Sequence, residues 1–279
     1  MAGTLFVVAT PIGHLEDISA RALRVLREVS VVAAEDTRRT GQLLRHFGIP
    51  TRLISLHEHN ERSRGSQLVD QLARGESVAV VSDAGTPGIS DPGSDLVRLV
   101  RARGLRVEAI PGPSAVAAAV SVAGLENGDF AFLGFPPVRS NDRIHWFERA
   151  ERLHPDVALV FFEAPHRIRR TLEELAFLDD QSIILFRELT KLHEETLTGP
   201  PAVLAASLEA PRGEFTIIVP RGEAVHNQQL APTASEIATL IGQITESGAL
   251  TKRAAARELG RKFGMSTRQV YELARKPSA

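Results

Sequence analysis

Short β-branched runs alternate with amphipathic stretches along the first 125 residues. TLFVVA (4–9), VVAAE (31–35), RLISL (52–56), SVAVVS (77–82) and RVEAIP (106–111) predict strands. Apolar residues at three- and four-residue intervals predict helices at about 19–29, 37–47, 61–74, 93–103 and 114–124. Strict alternation of strand and helix implies crossover connections, and so a mostly parallel sheet with helices on both faces. The strands lack clean polar alternation, as expected when both faces are buried.

The pattern changes at ENGDFAFLGFPPVRSNDR (126–143). Strand FAFLGF, helix 141–153, strand VALVFFEA (157–164), helix 166–178 and strand SIILFREL (182–189) follow. EETLTG, a helix near 200–208 and strand EFTIIVP (214–220) then come in close succession, which predicts a mixed sheet. EAVHNQQLAP (223–232) reads as a polar linker. Beyond it, Thr233 and Glu236 have capping-box spacing, and two short helices joined through FGMS, with Ser266 and Gln269 opening the last, suggest a helix-turn-helix. The expected architecture is α/β: two α/β domains, 1–125 and 126–222, plus a small helical domain, 233–279.

Composition narrows the chemistry. The 279 residues contain no Cys, which excludes disulfides, thiolate metal sites and a Cys nucleophile, and fits a reducing compartment. MAGTLFVVATP lacks the basic segment and long apolar core of a signal peptide, and no run approaches the ~18 apolar residues of a membrane span. The expectation is a soluble, cytoplasmic protein. The net charge of −1 conceals an asymmetry. Residues 251–276 hold eight Lys or Arg against two Glu, a net +6, so the remainder carries −7. A basic segment on an acidic body suits a polyanionic partner, and equally a solvated helical surface.

Polar residues collect after strands, where open α/β sheets bind ligands. ATPIGHLEDIS (9–19) follows the first strand, with Pro11 and Gly13 letting backbone approach a ligand; it is neither G-x-G-x-x-G nor a Walker loop, and alone it reads as a plain turn. AEDTRRTGQ follows the second strand and SLHEHNE the third. His57 and His59 lack an obvious third ligand, so a polar substrate rim is the better reading than a metal site. VVSDAGTPGISDPG (80–93) is far longer than a strand-to-helix turn needs. Asp83 there suits a ligand hydroxyl or ammonium and repels phosphate, while Asp91 is placed to cap the next helix. In PGPSA, Ser114 caps a helix of small residues. In the second half, EAPHRI, RELTKLHEE and GEF also put polar residues at strand ends.

ATPIG, AEDTRRT, SLHEHNE, VSDAGTPGISDPG, PGPSA, EAPHRI, RELTKLHEE and GEF occur in this order between about residues 4 and 220. Together they resemble the ribosomal RNA small subunit methyltransferase I branch of the tetrapyrrole methylase superfamily, and the basic tail is similar to that branch's C-terminal helices. The resemblance implies a homodimeric, metal-free methyltransferase that binds S-adenosylmethionine in a cleft between its two α/β domains. It implies methylation of the ribose 2′-hydroxyl of cytidine 1402 in 16S ribosomal RNA, within the small subunit. Carried over position by position, donor contacts fall on Pro11, Ser82, Asp83, Gly85, Ser114, Ala115, Glu163, Leu189 and Thr216. Candidates for the general base are Asp36, Glu58, Glu188 and Lys191, the last only if neighbouring Arg depress its pKa. Arg38, Arg39, Arg139, Arg167, Lys252, Arg253 and Arg268 are candidates for RNA phosphates. His14 stands where this branch usually has Asn, Pro136 replaces a usual Leu and Arg139 a usual Lys. Two other readings stay open: a small-molecule methylase of the same superfamily, and a ligand-sensing DNA-binding regulator.

Overall fold

The computed structural model describes residues 2–57, 60–91, 93–126 and 128–222, and beyond these only 237, 240, 241, 255, 256, 259, 267 and 270. Met1–Gly222 form one compact unit and Glu223–Ala279 a second.

Five strands make the first sheet: β1 (Thr4–Val8), β2 (Val31–Ala34), β3 (Leu53–Ser55), β4 (Val78–Val81) and β5 (Arg106–Ile110). Their order is β3-β2-β4-β1-β5 and every pairing is parallel. Helices α1 (Ala20–Glu28), α2 (Thr37–His46), α3 (Glu61–Ala73) and α4 (Ser94–Ala102) connect them. The strand period of two sorts side chains between two cores. Ala79 and Val81 of β4 join Val25, Leu26 and Leu44 of α1 and α2 on one face. Val78 and Val80 join Leu68, Leu72, Leu96 and Val100 of α3 and α4 on the other. Strands buried on both faces explain the continuous Val/Ala runs in the sequence. Because all five run the same way, the loops after β1, β2, β4 and β5 emerge along one edge.

The second sheet is mixed, in the order β6-β7-β10-β8-β9. Its strands are β6 (Phe130–Phe132), β7 (Ala158–Glu163), β8 (Ile183–Arg187), β9 (Glu195–Gly199) and β10 (Phe215–Val219). Only β6 and β7 pair in parallel. Helices α6 (Ser140–Leu153), α7 (Ile168–Glu174) and α8 (Pro201–Ser207) supply Trp146, Leu172 and Leu204 to a core with Phe161, Leu185 and Ile217. The opposite face, carrying Val160, Phe186 and Ile218, is covered by Val116 and Ala119 of α5 (Ala115–Val122) and by Ile12 of the loop after β1. The small residues of α5 let it lie close against that sheet. Both halves thus share one core, and the ends of β7, β8 and β10 lie together, with Phe215 paired to both Glu163 and Arg187. Among the described residues no helix is long and apolar enough to cross a membrane.

Of the second unit, Ile237, Ile241, Ala256, Leu259 and Val270 form a buried apolar cluster. The capping box at Thr233 and Glu236, the helix start at Ser266 and Gln269, and the cations Lys252, Arg253 and Arg268 lie outside the described residues.

Candidate functional site

Two adjoining cavities open where the strand ends of both halves meet. The first, about 340 Å³, is lined from the first half by Asp83, Gly85, Asp91, Ser114 and Ala115, and from the second by Glu163, Leu189 and Thr216. Ile12, Phe135, Phe162 and Phe215 give it apolar walls. The second, about 440 Å³, is lined by Pro11, Gly13, Ser82, His46 and Lys191. Ile12, Arg39, Asp83, Ala84 and Glu214 border both. Of the nine donor positions carried over by resemblance, seven therefore line the first cavity, and Pro11 and Ser82 line the second.

The long loop after β4 has a job at every turn. Thr10 and Gly85 exchange backbone hydrogen bonds of 2.9 and 3.0 Å, joining this loop to the one after β1. The Thr86 hydroxyl donates to the Pro113 carbonyl at 3.1 Å, which ties in the loop after β5. Asp83 accepts from the Asp36 N–H at 3.0 Å and pairs with Arg39 at 3.3 Å, so it also reaches the loop after β2. Gly93 closes the loop at φ +114°, a conformation closed to other residue types without strain.

Asp91 does not cap α4. The N-cap is Gly93, and the cap comes from Glu61 at the start of α3, whose Oε1 accepts from the Gly93 and Leu96 N–H groups at 3.1 and 2.9 Å. Asp91 faces the first cavity instead. Burial pushes its carboxyl up to about 6, with Glu35 adding repulsion, a hydrogen bond from Ser82 opposing the rise, and Asp83 and Glu214 repelling further. Burial also raises Glu35, helped by Asp83. The Ser114 side chain caps α5 by accepting from the Ala117 N–H.

The loop after β8 crosses back to the first half. Glu188 and Thr190 adopt left-handed backbone at φ 54° and 63°, which is costly for residues with a Cβ. It approaches so closely that a Cβ on Gly13 would sit 2.5 Å from Lys191 Cγ and 2.6 Å from Thr190 Oγ1. The Thr190 hydroxyl accepts from the His14 N–H at 3.2 Å. Lys191 Nζ donates to Glu188 at 2.9 Å and to Glu214 at 3.1 Å.

These contacts bear directly on the candidate bases. Burial opposes the charge on Lys191, but its two carboxylate partners outweigh burial and hold its pKa above the ordinary value. The depression that would make it a base is absent, and it acts as a cation. Glu188 is pushed up by burial, yet its bonds from Lys191 and the Glu214 N–H bring it below the usual range. Asp36 caps α2, and its bonds from the Arg38 side chain and N–H lower it to about 2. Such a carboxylate binds a proton weakly. Glu58 lies outside the described residues.

The candidate RNA cations also separate. Arg38 is 87% exposed but chelated to Asp36, and Arg39 is held by Asp83. Arg139 is exposed at the N-cap of α6. Arg167 is turned inward: it pairs with buried Glu163 and donates to the Pro136 carbonyl at 2.9 Å. Glu163 also takes bonds from Thr171 and the Ala164 N–H, and it lies 3.8 Å from Arg143, itself 3% exposed. The Arg167 assignment to RNA phosphate is corrected by this network, and the Glu163 side chain is engaged inside the protein. Among the described residues no group of three or more His, Asp or Glu is arranged to hold a metal ion.

The comparisons agree with this geometry. Residues 4–205 match the family Tetrapyrrole (Corrin/Porphyrin) Methylases. The solved structure of a diphthine synthase superposes with a TM-score of 0.61 at 18% identity, covering 78% of this chain and 89% of that one. Uroporphyrin-III C-methyl transferase from Thermus thermophilus, complexed with S-adenyl homocysteine, gives 0.57 at 18% identity, covering 77% and 97%. At that identity the likeness shows the fold alone, two α/β sheets; the family match gives the class, the tetrapyrrole methylases. Sequence relatives narrow the class. Ribosomal RNA small subunit methyltransferase I of Pseudomonas aeruginosa is 46% identical over 234 residues, 82% of each chain. That of Neisseria meningitidis serogroup B is 42% identical over 280 residues, 98% of this chain and 94% of its own. The chain belongs to the ribosomal RNA small subunit methyltransferase I family and is a methyltransferase.

Proposed function

We propose that this methyltransferase uses S-adenosylmethionine to methylate the ribose 2′-hydroxyl of cytidine 1402 in 16S ribosomal RNA, acting in the cytoplasm on the small ribosomal subunit as a homodimer. The observation that carries the reading is the pairing of two cavities that adjoin along one border of Ile12, Arg39, Asp83, Ala84 and Glu214. Methyl transfer needs donor and acceptor in contact, and two chambers that adjoin along one border let a donor in one meet an acceptor in the other.

The first cavity fits the donor. Its apolar surfaces, Phe162, Phe215 and Leu189, suit a purine, and its carboxylates, Asp83 and Asp91, suit a cationic ligand while repelling a polyphosphate. Bound there, S-adenosylmethionine would supply an electrophilic methyl group on sulfonium. Asp83 would hold its charge from the first half, while Leu189 and Thr216 would position it from the second. The loop bridge between Thr10 and Gly85 keeps both chambers at a fixed separation. Positioning of this kind accounts for a large share of the acceleration in group transfer, and no metal is needed for it. Lys191, kept cationic by Glu188 and Glu214, faces the second chamber and would attract the phosphate of an incoming nucleotide.

The small-molecule reading gains nothing from the basic 251–276 segment, since a tetrapyrrole has no use for it. The deciding experiment incubates the full chain and labelled S-adenosylmethionine with small subunits lacking the modification, then maps the label. Label on the ribose of cytidine 1402 is expected. Donor binding without label in 16S RNA would overturn the RNA substrate, and no donor binding would overturn the methylase site.

A further inference from the structure

A third, separate hollow of about 260 Å³ lies at the loop after β7 and the segment leading into β10. Pro165, His166, Arg169, Glu209, Pro211 and Arg212 line it. Pro165 also lines the first cavity, so the two hollows share that residue. Arg169 and Arg212 are exposed, and among the described residues neither enters an ion pair. That sets them apart from Arg38, Arg39 and Arg167, whose charges are matched by carboxylates.

The walls are built, not loose. On one side, Arg167 is pinned to Glu163 and to the Pro136 carbonyl, which leaves His166 and Arg169 facing outward. On the other, Arg187 Nε donates to the Arg212 carbonyl at 2.8 Å, and the Glu214 N–H donates to Glu188 at 2.9 Å. Two guanidinium forks, each able to bond a phosphate in pairs, therefore project from anchored backbone. The His166 ring adds an N–H donor. Glu209 sets the charge balance: two arginines against one carboxylate leave a net of +1, the complement of one phosphodiester.

We propose that this hollow is a phosphodiester-binding subsite that holds the RNA backbone beside the nucleotide entering the cleft. It rests on the RNA reading above and adds where the flanking strand runs. The sequence motif EAPHRI pointed to Arg167; the geometry points instead to Arg169, together with Arg212 from a segment 43 residues further along.

The test compares the full chain with its R169A/R212A and R169K/R212K variants. It measures S-adenosylmethionine affinity, and affinity for a protein-free 16S-derived RNA hairpin and for assembled subunits, across a salt series. Wild-type affinity for RNA falls with salt, at about 0.7 log units per log unit of salt for each single-strand phosphate contact. Removing both arginines, which share one phosphodiester, is expected to reduce that slope by about 0.7 and weaken hairpin binding roughly tenfold at low salt, with donor affinity unchanged. The lysine variant should keep the slope. An unchanged slope in R169A/R212A, with wild type methylating RNA, overturns the subsite alone. Loss confined to assembled subunits also overturns it, since the hollow then meets a ribosomal protein. If wild type binds donor but no RNA, the RNA reading fails and the subsite with it.

Discussion

At the scale of single residues, proximity to charge decides what each carboxylate can do. Asp83 faces the first cavity while tied to the Asp36 N–H and Arg39, which fixes its position. Asp83→Asn keeps the shape and removes the charge; donor affinity measured by calorimetry should fall about tenfold with the melting temperature nearly unchanged. Asp91 adds a pH dependence. Its carboxyl titrates at about 6, so acidification through that value should weaken binding of a cationic donor, and Asp91→Asn should flatten the profile. The stability effect has the opposite sense. The folded value lies above the unfolded 3.8, so this group favours the fold below about 4, and that contribution is lost as pH rises through about 6. Chemical denaturation at pH 4.5 and 7.5, with and without Asp91→Asn, would separate the two.

At the scale of elements, the strands were legible and the caps only partly so. VVAA and VAVV read as strands buried on both faces because parallel sheets need apolar residues at every position, and they pair as β2 and β4. Ser114 stands next to the helix it caps and reads as a cap from sequence, whereas Asp36, which caps α2, reads from sequence only as a candidate base. The cap of α4 was misread because it comes from Glu61, 32 residues before Gly93 in sequence. No local pattern announces such a partner. Its consequence is structural coupling: Glu61 fastens the start of α3 to the end of the cavity loop. Glu61→Ala strips two buried N–H groups of their acceptor and should cost about 2–3 kcal/mol in urea unfolding, with Glu61→Gln costing less. Arg143 is a parallel case on α6, bonding Glu174 and Thr171 at 2.6 Å each while 3% exposed. Arg143→Ala leaves buried Glu163 short of a counter-charge and should destabilise by about 3–5 kcal/mol.

At the scale of the whole molecule, the two sheets were legible and their joint core was not. Alternating β and α segments predict each sheet separately. They do not say that Ile12 and α5, from the first half of the chain, close the second sheet. The donor positions from both halves meet because of that shared core. Met1–Gly222 contain both sheets and their cores, and the second unit has its own apolar cluster. A chain ending at Gly222 should therefore fold and bind donor within about twofold of the full chain. It should bind RNA more weakly and with a shallower salt slope, because the +6 segment is gone.

The placement of α5 also dictates where this protein can be cut in two. A break at Gly124–Gly128, between the sheets in chain order, gives an N-terminal piece with a bare Val116–Ala119 stripe. It gives a C-terminal piece whose Val160, Phe186 and Ile218 face water. Both fragments would be sticky, and they would find each other only in competition with self-association. A break at Pro111–Pro113 sends α5 with the sheet it covers. Fragments 1–111 and 112–279 are then the pair from which a split reporter of donor binding should be built.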